Sequence, residues 1–154
     1  MTTIGDDAFS CCESLNRITI PNSVVTLIGN PFKRWHGILY NESKAFIYED
    51  NVLFNKNKTT LIAYRAKESH YIIPNCVTTI GDWAFGFCIS LTSINITDSV
   101  TTIGNRAFWG CDSLTSINIP NSVTTIGDCA FNSCNNIPSK IKSEIIQRFG
   151  EKVF

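Results

Sequence analysis

A chain of 154 residues with 44% hydrophobic and 17% charged side chains has the makeup of one globular domain, with enough apolar side chains for a core and too few charges for a disordered segment. Thirteen Lys and Arg cancel thirteen Asp and Glu, and the one loose basic cluster is Lys56, Lys58, Arg65 and Lys67, so neither nucleic acid nor an anionic membrane is an expected partner. No apolar run approaches the ~20 residues of a membrane-spanning helix, and the first residues carry neither the basic region nor the apolar core of a signal peptide.

The chain opens on Thr3-Ile4-Gly5-Asp6-x-Ala8-Phe9-x-x-Cys12-x-Ser14-Leu15, and Leu15-x-x-Ile18-x-Ile20-Pro21 follows with the alternation of a short strand. With no signal peptide visible, the chain is expected either to stay inside the cell or to be a piece of something longer, and that Met1 to Gly5 enters mid-repeat supports the second. Phe32 stands as far beyond Phe9 as Phe108 stands beyond Phe85, in a degenerate second copy with Pro31 in place of Ala and Trp35 in place of Cys. Phe85 comes two such intervals and seven further positions after Phe32, and the extra length falls between Asn41 and Arg65. There Phe46-Ile47-Tyr48, Val52-Leu53-Phe54 and Thr60 to Tyr64 read as strands between polar turns, which predicts an elaborated coil carrying a β-hairpin. Tyr71-x-Ile73-Pro74 regains the frame.

From there the interval is regular. Thr79-Ile80-Gly81-Asp82-x-Ala84-Phe85-x-x-Cys88-x-Ser90-Leu91-Thr92-Ser93-Ile94-Asn95-Ile96 returns one period on as Thr102 to Ile119 and begins again at Thr125. Within each copy, Leu114-x-x-Ile117-x-Ile119 predicts a strand, Pro120-Asn121-Ser122 a turn, and Val123 to Gly127 a shorter β piece closed by a glycine at positive φ. Asp128 to Phe131 then predicts a helical or 3-10 turn capped by Asp128. Pro138-Ser139 starts a helix with Ile141, Ile145 and Phe149 on one face, Ile146 widening it and Gly150 ending it.

A fixed period of this length is the signature of a solenoid. One coil buries too little apolar surface to offset the entropy of ordering it, so coils must stack. The expected division of residues 1–154, one domain, is 3–25, then 26–78 with the hairpin, 79–101, 102–124 and 125–137, with a capping helix at 139–149. Stacking predicts that Ile18, Ile94 and Ile117 lie in register, and that Phe9, Phe85, Phe108 and Phe131 form an inward column interrupted at Phe32. Cys12, Cys88, Cys111 and Cys134 all fall three residues after the repeat Phe, which predicts a column of buried free thiols and not a disulfide framework. Cys11, Cys76 and Cys129 occupy variable positions.

Chemistry has little to work with. No Cys-x-x-Cys pair or Cys/His run marks a metal site, His36 and His70 have no nucleophile or carboxylate at a recognisable spacing, and the glycines serve the repeat and not a phosphate loop. No catalytic residue, cofactor or metal ligand is assigned. Three Asn-x-Ser/Thr sequons, at Asn41, Asn57 and Asn95, are expected by chance in so Asn- and Thr-rich a chain. Two outward surfaces remain. One is a strand ribbon of Arg17, Thr19, His70, Ile72, Ser93, Asn95, Ser116 and Asn118, a candidate for partner binding. The other is Trp83, Phe87 and Trp109 with Arg106 beside them, which either pack over neighbouring turns or form a self-association patch that would give a homodimer.

The repeat resembles that of the BspA-like leucine-rich repeat family, Leu-x-x-Ile-x-Ile-Pro-x-x-Val-x-x-Ile-Gly-x-x-Ala-Phe-x-x-Cys. Leu91, Ile94, Ile96, Val100, Ile103, Gly104, Ala107, Phe108 and Cys111 fall on it, as do Leu114, Ile117, Ile119, Pro120, Val123, Ile126, Gly127, Ala130, Phe131 and Cys134; Thr97 departs where Pro is expected. The resemblance implies a leucine-rich repeat solenoid of the α/β horseshoe class, built mostly of short strands and tight turns, and a non-enzymatic role in adhesion or protein binding. A host surface or matrix protein is the implied partner and a secreted or surface-displayed location the implied setting. The alternative is a purely structural segment of a longer array.

Overall fold

The computed structural model describes residues 1–154. Its strands are β1 (Thr3–Ile4), β2 (Arg17–Ile20), β3 (Thr26–Leu27), β4 (Ile38–Asn41), β5 (Phe46–Glu49), β6 (Val52–Asn55), β7 (Thr60–Tyr64), β8 (His70–Ile72), β9 (Thr79–Ile80), β10 (Ser93–Asn95), β11 (Thr102–Ile103), β12 (Ser116–Asn118) and β13 (Thr125–Ile126), and one helix follows, α1 (Ser139–Phe149). The chain winds as a parallel β-solenoid. Ser93, Ile94 and Asn95 pair with Ser116, Ile117 and Asn118, and Thr102-Ile103 with Thr125-Ile126 on the other face, so the sequence period is the strand register.

The register does not run through the whole array. Ile18 pairs with Leu39 in a two-stranded sheet, β2–β4, separate from β8–β10–β12, so Ile18 does not stack with Ile94 and Ile117 as the period alone predicts. The cause is the extra segment. It is a three-stranded antiparallel meander, β5–β6–β7, and not a simple hairpin, and β7 doubles as a coil strand by pairing in parallel with β9. The meander is a partition between two cores: Val52, Phe54, Leu61 and Tyr64 face the larger cluster, while Phe46, Leu53 and Ala63 face the smaller one. Alternation on buried strands produces this two-sided wall.

Tyr64 takes the place of the repeat Phe in this coil. Its N–H donates to the Ala84 carbonyl at 2.8 Å, the bond that Phe85 makes to Ala107 at 2.7 Å and Phe108 to Ala130 at 2.8 Å. One residue separates Leu61 from Ala63 where three separate Ile80 from Ala84, so the outer turn is missing from the Tyr64 coil. The turn of the Phe32 coil reaches across that gap, and Asn30 Nδ2 donates to the Trp83 carbonyl at 3.0 Å.

The aromatic column exists, broken elsewhere than expected. Phe9 and Phe32 stack at 5.7 Å, so Phe32 continues the column and does not interrupt it. A second stack runs Tyr64, Phe85, Phe108, Phe131 and Phe154 with centroids 4.9 to 5.5 Å apart. The break lies between Phe32 and Tyr64, where Trp35 and Arg65 intervene.

Three local expectations need correction. Gly104 and Gly127 do not have positive φ; they are needed because a Cβ at either would stand 2.4 Å from the backbone or side chain of the coil beneath. Asp128 does not cap its own turn, which is a run of β-turns and not a 3-10 helix. The Asx side chains instead link coils: Asp82 Oδ1 accepts from Asn105 N–H at 2.7 Å, and Asn105 Oδ1 from Asp128 N–H at 2.9 Å. Among the four column thiols only Cys111 and Cys134 are buried, donating to the Phe85 and Phe108 carbonyls at 3.0 Å. Cys12 and Cys88 are half-buried, Cys12 in the outermost coil and Cys88 beside the coil that lacks its outer turn; all seven cysteines are free.

Candidate protein-binding surfaces

The strand ribbon forms two separate panels because the meander divides its sheet. In the first, β2 turns Arg17 and Thr19 outward while Ile18 and Ile20 go into the core, and β4 does the same with Ile38 and Tyr40 around Leu39. In the second, His70 and Ile72 of β8 align with Ser93 and Asn95 of β10, and these with Ser116 and Asn118 of β12. Large apolar groups stand open to solvent here: Ile38 is 60%, Tyr40 48% and Ile72 66% exposed. The outward positions include Arg17 and His70 but no carboxylate.

Sequence reasoning missed Ile38 and Tyr40. The Arg17–Ile38 and Thr19–Tyr40 pairs are two positions closer in sequence than the regular period, because Trp35 and Ile38 are three apart where Cys12 and Arg17 are five. The Ile38-Leu39-Tyr40 alternation was the available signal. Not every candidate on the ribbon is free. Asn118 closes on the backbone of the neighbouring coil, its Nδ2 donating to Ile96 O at 3.0 Å and its Oδ1 accepting from Ile96 N at 3.2 Å, and His70 Nδ1 is bonded to Ser93 Oγ. Beside Asn95 and Asn118 lies an open polar cleft of about 570 Å³. It forms where Thr97 replaces the usual Pro and binds Ser99 Oγ at 2.9 Å.

Trp83, Phe87 and Trp109 come together on the turn edge. Trp83 stacks on Phe87 at 5.9 Å and tilts against Trp109 at 5.5 Å. All three are half-buried, and Gly86 and Gly110 are cut away to seat them, since a Cβ there would lie 2.9 Å from the Trp83 ring and 2.8 Å from the Phe87 ring. Cations cover the remaining faces. Lys33 Nζ is 3.7 Å from the Trp83 ring centre, Arg34 4.7 Å from Phe87, and Arg106 5.6 and 5.7 Å from Trp83 and Trp109. The rings therefore thicken the thin edge of the solenoid, with cations over the faces that packing leaves.

The backbone beneath is strained. Each coil with an outer turn puts two residues in the left-handed region, and in this stretch they include Arg34 (φ 60°), Trp83 (58°), Phe87 (61°) and Arg106 (53°), where Asp7, Cys11, Gly110, Cys129 and Ser133 serve elsewhere. A bulky side chain there costs about 1–3 kcal/mol, which the surrounding structure must offset.

No three His, Cys, Asp or Glu side chains converge as metal ligands, and no helix is long and apolar enough to cross a membrane. The sequence profile described as a BspA type leucine rich repeat region matches in six copies, over residues 1–60 and 58–154. Among solved structures, a leucine-rich repeat protein from Eubacterium ventriosum is 34% identical with a TM-score of 0.79, over 88% of this chain and 38% of its own. The pneumococcal vaccine antigen PcpA is 30% identical, TM-score 0.76, over 86% and 34%. A leucine-rich cell surface protein from Faecalibacterium prausnitzii is 25% identical, TM-score 0.65, over 97% and 54%. The chain thus spans about a third to a half of the length of these proteins. No curated protein matches it.

Proposed function

The chain belongs to the BspA-type leucine-rich repeat family, and from that premise we propose that it is a protein-binding module that presents its strand ribbon to a protein partner at a cell surface. The exposure of Ile38, Tyr40 and Ile72 carries this reading. Apolar side chains on a parallel sheet face with no covering element are unfavourable in water, and aromatic and aliphatic anchors ringed by small polar groups make up the centre of a binding interface. Ser93, Asn95 and Ser116 supply such a surround to Ile72 on one panel, Arg17 and Thr19 flank Ile38 and Tyr40 on the other, and no carboxylate faces out from either. A segment acting only as a spacer within a longer array would have no use for these three side chains. Two of the relatives are described as a cell surface protein and a vaccine antigen, which supports a surface setting.

The test is binding of the purified chain to an array of extracellular-matrix and cell-surface proteins, repeated with Ile38→Ser, Tyr40→Ser and Ile72→Ser combined. Removing a central anchor costs about 2 kcal/mol or more, so the triple variant should lose capture of any protein bound by the wild type at an unchanged melting temperature. Equal capture by both proteins, or capture of nothing by the wild type, sinks the reading and favours the spacer.

A further inference from the structure

The turn edge offers a second site, separate from the ribbon. The guanidiniums of Arg34 and Arg106 are exposed, and each lies against an aromatic face: Arg34 on Phe87, Arg106 between Trp83 and Trp109. Neither forms an ion pair. The nearby carboxylates are otherwise engaged. Asp6 and Asp7 hold the buried Lys33 at 3.7 and 2.7 Å, Asp82 accepts from Asn105 N–H, and Asp128 pairs with Lys152 at 3.1 Å. A guanidinium stacked by its face keeps its N–H edges free, and those edges match a carboxylate in a two-pronged fork. Stacking also removes the rotamer entropy that a free surface Arg would lose on binding.

Two features show that the arrangement is built. Both arginines, together with Trp83 and Phe87, occupy the left-handed positions that the outer turns of the solenoid share, so bulky side chains stand here at a local cost where Asp7 and Gly110 stand in other coils. Second, the missing turn of the Tyr64 coil brings the Phe32 coil against the Phe85 coil, as the Asn30 to Trp83 bond records. That closure places Arg34 over Phe87, two coil steps from Arg106 along the stack and one column across the turn, since Arg34 follows Phe32 by two residues and Arg106 precedes Phe108 by two.

We propose that this edge binds an acidic peptide segment of a protein partner, with its carboxylates received by Arg34 and Arg106 and apolar side chains between them resting on the Trp83, Phe87 and Trp109 edges. The faces of these rings are already covered by cations and by each other, which leaves no open platform for a sugar ring and favours a peptide over an acidic polysaccharide.

The probe is a fluorescein-labelled nonapeptide of interspersed glutamates and leucines, compared with its lysine counterpart and with a heparin-derived decasaccharide. Fluorescence anisotropy should show binding of the glutamate peptide alone. Arg34→Gln with Arg106→Gln should weaken it by tenfold or more, the loss of two charge-assisted contacts. Phe87→Asn, which keeps both charges but frees Arg34, should weaken it several-fold in a variant whose circular dichroism shows the fold retained. The proposal is overturned by equal binding of the lysine peptide, by binding of the decasaccharide where the glutamate peptide fails, by no binding of any probe, or by an unchanged affinity in either variant.

Discussion

The Arg65 guanidinium lies over the Trp35 ring, 4.6 Å from its centre, and donates to the Trp35 carbonyl at 3.2 Å. Trp35 stands where other coils have Cys, and its own Nε1 donates to the Leu15 carbonyl at 2.6 Å. Together the two side chains fill the seam between the Phe9–Phe32 stack and the longer column that starts at Tyr64. Arg65 also donates to the Gly37 carbonyl at 2.9 Å and the Tyr48 hydroxyl at 3.2 Å, and no carboxylate accompanies it. Desolvation lowers its pKa from the ordinary value, yet a guanidinium remains charged at neutral pH. Backbone carbonyls therefore compensate a mostly buried cation.

Arg65→Ala should destabilise the fold by about 2–4 kcal/mol, through lost packing and orphaned carbonyls. Arg65→Lys should recover only part of that, because one ammonium cannot reach acceptors arranged for a planar fork. Urea unfolding midpoints of the two variants check this. An Arg65→Ala protein within about 0.5 kcal/mol of wild type, the range of a neutral surface change, refutes the seam as a source of stability.

Position within the column should set the cost of truncating it. Phe108 is fully buried with Phe85 and Phe131 stacked at 5.0 and 5.3 Å on its two sides, while Phe9 is half-buried with Phe32 on one side only. Phe108→Ala should cost about 3–5 kcal/mol, the figure for a large core truncation, and Phe9→Ala clearly less. Equal losses in denaturant unfolding would mean that the column is not the stabilising element.

Much of this was legible from spacing. In a parallel solenoid the period and the register are one quantity, so Ser93, Ile94 and Asn95 announce Ser116, Ile117 and Asn118 as their partners. The meander was less legible because its strands obey local alternation without the period. Residues 52 to 54 are buried on both faces, and an apolar run does not say which neighbour each face meets. The left-handed positions were hidden for a different reason. Asp7 and Gly110 at these sites follow backbone preference, but Cys11, Arg34, Trp83, Phe87, Arg106, Cys129 and Ser133 do not, and only the folded backbone shows that they share one conformation. Ile38 and Tyr40 escaped because a coil two residues short shifted them out of frame.

Alkaline pH should destabilise the protein from about pH 9 upward. Burial is the main cause that pushes Tyr64 and Tyr71 from 10.0 up to about 12. Interaction with the Cys111 sulfur, then burial, pushes the Cys134 thiol far up from 9.0. Cys111 is pulled down by Cys134 and pushed up more strongly by Cys88 and burial. In each case the folded state holds its proton more tightly than the unfolded chain. Stability is therefore full below the unfolded-state values and falls as pH passes 9 and then 10. Unfolding midpoints measured at pH 7.5, 9 and 10.5 should be level over the first pair and lower at the last; a flat profile to pH 10.5 contradicts it. At pH 8 a thiol reagent should label the exposed Cys11 and Cys76 quickly and leave Cys111 and Cys134 unmodified.

The C-terminal segment should hold the last coil closed by two separate devices. In α1, Ile145 is buried, Ile141 and Phe149 are partly buried against the same core, and Arg148 donates to the Ile119 and Pro120 carbonyls at 2.7 and 3.0 Å. The short 3-10 turn Glu151–Val153 supplies what the helix cannot. Phe131 N–H donates to the Val153 carbonyl at 2.7 Å, the inter-coil bond that Phe108 makes to Ala130, and the Phe154 ring meets Phe131 at 5.5 Å. Residues outside the repeat thus imitate the Ala-Phe pair of another coil and satisfy backbone and aromatic stack together. Deleting 150–154 should uncover the Phe131 ring and the backbone N–H groups of Cys129 and Phe131, while Ile145→Ala should cost about 2–4 kcal/mol by leaving a cavity. The deletion should also promote self-association, because it opens an apolar stack edged by unpaired donors. Sedimentation and thermal melts of the two variants decide the matter: if the shortened chain stays monomeric with an unchanged melting temperature, the helix alone closes the coil and the 3-10 turn is an ornament.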